Sequence, residues 1–161
     1  MNFLSQHKHY KNTFEKENMH MNARFYRSDN LNIERLATDL EQFFRGQGYV
    51  VQHLGNNDQM MVQLKKGGEF EAIVGMQAAL TVTLQRNSGG ISIAVGQQKW
   101  IDKAAVGVVG FAIPVLWPLL FTAGIGAFRQ VGLANQVMTV VDGLVHQQQP
   151  GAQAEPDPVQ Q

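Results

Sequence analysis

Between Lys103 and Arg129 the chain runs for about 25 residues without a formal charge, through Gly110-Phe-Ala-Ile-Pro-Val-Leu-Trp-Pro-Leu-Leu-Phe121. One membrane-spanning helix needs roughly 20 apolar residues, and a water-soluble helix of such length ordinarily keeps a polar face. Pro114 and Pro118 interrupt the run, and Gly107, Gly110, Gly124 and Gly126 dilute it. Each proline removes a backbone donor and crowds the preceding turn, so one straight helix is not expected. The arms 104–113 and 119–128 would each reach about 15 Å as helix, half the thickness of the hydrocarbon layer. A re-entrant apolar helical hairpin over 104–128 is therefore the expected arrangement. A single span, or a segment buried in a soluble core or oligomer, is the alternative. Lys99 and Lys103 precede the run and Arg129 follows it, so the basic residues do not assign its two ends to opposite sides. The residues expected to meet the membrane are Trp100, Lys103, Phe111, Ile113, Pro114, Leu116, Trp117, Pro118, Leu119, Phe121 and Phe128.

The rest of the chain reads as one α+β domain over 30–147, preceded by a disordered extension (1–29) and followed by a disordered Gln- and Pro-rich tail (148–161). Ser28-Asp-Asn-Leu-Asn32 supplies helix N-cap residues, and Ile33, Leu36, Ala37, Leu40, Phe43 and Phe44 recur at helical spacing behind it. Gly46 and Gly48 stop that helix. Two hairpins follow. One runs from Tyr49 through the turn Gly55-Asn-Asn-Asp58 to Lys65, and the other pairs Leu80, Val82 and Leu84 with Ile91, Ile93 and Val95 across Arg86-Asn-Ser-Gly-Gly90. Apolar and polar residues alternate in both, which predicts a four-stranded antiparallel sheet wetted on one face and covered by the helix on the other. Beyond the uncharged run, Val131, Ala134, Val137, Met138, Val141, Leu144 and Val145 predict a C-terminal amphipathic helix.

Little in the sequence carries chemistry. Thirteen basic and thirteen acidic residues leave no net charge to attract nucleic acid, and no lysine or arginine stripe overrides that balance. With no cysteine there is no disulfide, thiolate zinc site or thiol nucleophile. No serine sits in a nucleophile elbow, no zinc-protease spacing occurs and no carboxylates converge on one element, so no catalytic residue, metal or cofactor is expected. His7-Lys8-His9 lacks the ligand count of a metal site. His20, His53 and His146 take structural or exposed roles, and the glycine pairs 67–68 and 89–90 fit turns rather than phosphate loops. Trp100-Ile-Asp-Lys103 reads as an interfacial anchor leading into the run. The N-terminus has no apolar stretch of secretory-signal length, so export by that route is not expected.

Ala79-Leu-Thr-Val82, Val95-Gly96, Trp100-Ile-Asp-Lys-Ala104, Trp117-Pro118 and Gly126-Ala-Phe-Arg-Gln130 carry a resemblance over about 31–145 to small uncharacterised bacterial proteins. These have a helix, four strands and an apolar C-terminal helical segment, some with an N-terminal zinc ribbon. The ribbon has no counterpart in a chain without cysteine, so the resemblance implies layout and bacterial origin only. The expected function is a non-enzymatic binding or assembly protein at the bacterial cytoplasmic membrane, its soluble parts facing the cytoplasm. Membrane lipid, a further copy of the chain or another protein would be its partner. The alternatives are a soluble carrier of lipid or another hydrophobic ligand and a membrane-active pore-forming oligomer.

Overall fold

Asn32 starts the first helix by chemistry: its backbone is extended and its side-chain oxygen accepts a hydrogen bond from the Arg35 amide at 2.9 Å. One of the orphan donors of the first turn is thereby satisfied. The structure, a computed structural model, describes residues 23–66, 78–101 and 131–156. In chain order these form β1 (Ala23–Arg27), α1 (Ile33–Gly46), β2 (Tyr49–Gly55), β3 (Gln59–Lys66), β4 (Ala78–Asn87), β5 (Gly90–Lys99), α2 (Val131–Gln148) and β6 (Gln153–Glu155). The strands make one antiparallel sheet in the order β2-β3-β4-β5-β1-β6.

The expected α+β class holds, with the predicted first helix, both hairpins and the C-terminal helix in place. The sheet, however, has six strands rather than four. The two additional strands lie in segments read from sequence as lacking regular structure. β1 was hidden because Phe25 and Tyr26 point to opposite faces and both are buried, at 4% and 0% exposure, so no polar alternation marks the strand. β6 is Gln-Ala-Glu, without apolar pattern. It is held by pairing with β1 and by the Arg27 guanidinium, which donates from Nε at 3.1 Å and Nη2 at 2.9 Å to the Glu155 carboxylate.

Both helices cover the same face of the sheet. Leu36, Leu40 and Phe44 of α1 and Val137, Met138 and Val141 of α2 share one buried cluster with Val62, Val82 and Ile93. Burying such a side chain contributes about 1.5–3 kcal/mol, so the two amphipathic stripes and the sheet's apolar face are the main source of cohesion. Tyr26 reaches this side, where its hydroxyl donates to Asp142 Oδ1 on α2 at 3.1 Å. Two glycines are required by geometry. Gly55 has φ +140° beside the Gln59 carbonyl, and a Cβ on Gly90 would sit 2.2 Å from the Tyr26 carbonyl oxygen, so β1 can lie against β5 only over a glycine.

The face expected to be wet is buried as well. Met61 and Gln63 are fully enclosed, and Thr81, Thr83 and Ser92 are exposed by 5% or less. Their polar groups find partners nearby: Thr83 Oγ1 donates to the Ala94 carbonyl at 3.3 Å and Asn87 Nδ2 to Ser92 Oγ at 2.7 Å. Polar side chains that hydrogen-bond within a sheet tolerate burial, so alternation alone did not distinguish this face from a solvated one.

Candidate functional site

Strand register gives the domain two unlike ends. At one, the Gly55–Gln59 and Asn87–Gly90 turns meet the start of α1. At the other lie Tyr49, Lys66, Ala78 and Lys99, together with the last turn of α1. α2 runs antiparallel to α1. Gln136 near its start hydrogen-bonds Gln47 just after α1 at 3.1 Å, whereas Gln148 at its end accepts from the Asn32 amide at 3.0 Å. The chain therefore leaves β5 for the uncharged run, and comes back from it into α2, at the same end of the domain.

The point of departure is held by buried amides. Gln52 and Gln63 face each other across β2 and β3, and Gln52 Nε2 donates to Gln63 Oε1 at 3.0 Å. Both then grip the backbone of Ile101: its amide donates to Gln63 Oε1 at 2.9 Å, and its carbonyl accepts from Gln52 Nε2 at 2.6 Å. Gln63 Nε2 donates onward to Thr81 Oγ1 at 3.3 Å. Two side-chain amides thus do for Ile101 what a neighbouring strand would do, at a place where the chain has left the sheet.

Beside this clamp the half-buried Trp100 ring receives the Lys65 ammonium at 4.4 Å from its centroid, within cation–π range. Trp100 is the one predicted membrane-contacting residue among the described ones. Lys103, Phe111, Ile113, Pro114, Leu116, Trp117, Pro118, Leu119, Phe121 and Phe128 lie outside them, as does the expected hairpin at 104–128. No helix among the described residues is long and apolar enough to cross a membrane.

A second polar cluster, absent from the sequence reading, sits where α1 crosses the edge strand β2. Glu41 is the one charged residue among the described ones classed as buried, at 8% exposure. Its carboxylate pairs with His53 Nδ1 through one oxygen and with Arg45 Nη2 through the other. Arg45 Nη2 also donates to the Val51 carbonyl at 3.1 Å. A buried charge is tolerated when it is paired in this way. Removing Glu41 alone would leave Arg45 and His53 without this partner, although both are partly solvated, with side-chain exposures of 60% for Arg45 and 32% for His53.

The arrangement ties α1 to β2 and occupies a backbone acceptor on the strand that stands at the edge of the sheet among the described residues, where charged side chains commonly protect sheet edges. A carboxylate that orients a histidine also supplies two of the three members of a hydrolytic triad, but no hydroxyl or thiol is bonded to His53 among the described residues. The sequence signal was available: Ala37, Glu41 and Phe44 follow i, i+4, i+7, which puts Glu41 in the apolar stripe rather than opposite it. His146 is ordinary by comparison, with Nδ1 2.7 Å from the Asp142 carbonyl one turn back in its helix. Among the described residues no three potential metal ligands come together. An open polar recess of about 330 Å³ at the other end of the domain is lined by Asp29, Asn32, Glu34, Asn57 and Arg86. Its one cation, Arg86, already donates to the Leu31 carbonyl at 2.8 Å.

No family model, curated protein or solved structure matches this chain. What can be said of its role therefore rests on its own residues.

Proposed function

We propose that the protein is a non-enzymatic, membrane-associated binding or assembly protein. Its α+β module would lie on the cytoplasmic side of a bacterial inner membrane, and residues 104–128 would enter the bilayer and return to the side they left. The observation that carries this reading is that the run begins and finishes at one end of the domain: β5 closes at Lys99 opposite Ala78, with Ile101 held by Gln52 and Gln63 on the sheet face away from the helices, and α2 begins near the last turn of α1 on the helix-covered face. A single span would put α2 and β6 across the membrane from the sheet. Val137, Met138, Val141 and Val145 would then lose their buried surroundings, at about 1.5–3 kcal/mol each, and β1 would lose its pairing with β6. A run that leaves and returns keeps both.

The test combines extraction with topology. Carbonate-washed membranes should retain the full-length chain. Single cysteines at the exposed positions Asn57 and Gln153, introduced into a chain that has none, should react with an impermeant maleimide from the same side only. Labelling from opposite sides would overturn the re-entrant reading. Recovery as a detergent-free monomer carrying lipid would replace it with the soluble-carrier reading, and dye release from vesicles would point to a pore.

A further inference from the structure

We propose that the end of the domain from which the uncharged run departs recognises the anionic headgroups of a bilayer surface. This rests on the membrane-associated reading above and gives that membrane a chemistry. The chain as a whole is neutral, with thirteen basic and thirteen acidic residues, so a field can arise only from where the charges are placed. The fold segregates them. Arg45 closes α1, Lys65 and Lys66 close β3 and Lys99 closes β5, all at the departing end. Among the described residues the one carboxylate near them is Glu41, enclosed between Arg45 and His53.

The described carboxylates Asp29, Glu34 and Asp58 sit at the opposite end, beside Arg27, Arg35 and Arg86. There Arg27 is taken by Glu155 and Arg35 faces Asp39 at 3.7 Å. In sequence, the connection after β3 adds Glu69 and Glu71, and the borders of the run add Asp102, Lys103 and Arg129. Counted along the sequence, these together with Arg45, Lys65, Lys66, Lys99 and Glu41 amount to six basic residues against four acidic ones.

At physiological ionic strength charges are screened over roughly 8 Å, so a bilayer senses the end that touches it and not the neutral whole. Lys66 is exposed, and Lys65 is half-buried with its ammonium on the Trp100 ring. This places an aromatic side chain and one lysine beside the residue from which an uncharged segment leaves, with Lys66 next along β3 at the same end of the sheet but on its other face. Indole rings and lysine ammonium groups both favour the headgroup level of a bilayer, where the ring is half dry and the charge meets lipid phosphate.

The experiment is flotation of the full-length chain with phosphatidylcholine vesicles, with and without phosphatidylglycerol, at low and high salt. Partitioning should favour the anionic vesicles by about fivefold per engaged lysine, the usual increment for a basic residue at such a surface, and the preference should fade with salt. Lys66→Gln should lose about fivefold on anionic vesicles and nothing on neutral ones. Arg35→Gln at the far end serves as the control and should lose nothing. Melting curves of both variants matching the parent exclude misfolding as the cause. Equal binding to neutral and anionic vesicles overturns the headgroup inference while leaving the membrane reading intact. Binding to neither overturns both. Duplex DNA binding with the same Lys66 dependence would show a general polyanion site and overturn the lipid assignment.

Discussion

Gln63→Leu should be among the most destabilising single changes in this protein, although it swaps one buried side chain for another of similar size. Gln63 Oε1 accepts from Gln52 Nε2 and from the Ile101 amide, and its Nε2 donates to Thr81. A net hydrogen bond contributes about 1 kcal/mol, and a buried donor left without a partner costs about 1–3 kcal/mol. Leucine recovers some apolar burial but leaves the Ile101 amide and the Thr81 hydroxyl unserved, so the expected loss is about 3 kcal/mol. For a chain of this size that lowers the melting temperature by about 6–12 °C.

Urea denaturation of the two single leucine variants at 52 and 63 and of the double variant closes a double-mutant cycle. The double variant should be less destabilised than the sum of the singles, because the bond between the two amides is counted in both. Hydrogen exchange at Ile101 should accelerate in Gln63→Leu more than at Val82 in the sheet interior. A Gln63→Leu protein within about 0.5 kcal/mol of the parent, the range typical of surface substitutions, would refute the clamp, as would strict additivity of the two singles.

Burial pushes the Tyr26 hydroxyl up from 10.0 to about 12, with the nearby Asp142 charge acting in the same direction. The folded protein therefore holds this proton more tightly than the unfolded chain, so the contribution is complete below about pH 10 and is lost as pH rises towards about 12. Stability should fall across that window by about 2 kcal/mol more in the parent than in Tyr26→Phe, measured by urea midpoints at stepped pH. Gly90→Ala should cost about 2 kcal/mol or more and detach β1, because the added methyl meets the Tyr26 carbonyl and the Phe25 ring. Amide exchange in 23–27 reports this, and unchanged protection there would contradict the close-approach argument. Deleting residues 1–20 should leave the melting temperature unchanged, whereas deleting 1–28 should abolish cooperative melting, since β1 is the link between β5 and β6.

Local patterns determined most of what sequence could give. The α1 stripe with its Asn32 cap, the β2–β3 turn at Gly55, the β4–β5 turn at Gly89 and the α2 stripe all depend on residues within a few positions of one another. Each was readable because 3.6- and 2-residue periods and positive-φ glycines are properties of short segments.

Tertiary structure decided whatever depends on distant partners. Ala23–Arg27 becomes a strand only because β5 offers it an edge and Gly90 the room. Gln153–Glu155 becomes one only because Arg27 waits at the right register. Gln63 and Thr81 look solvated in sequence, since an amide or a hydroxyl is equally satisfied by water or by a cross-strand neighbour; it is the register that supplies the neighbour. The charges follow the same rule. A chain with no net charge acquires a basic end because antiparallel pairing gathers Lys65, Lys66 and Lys99, up to 34 positions apart in sequence, beside the place where an uncharged segment begins.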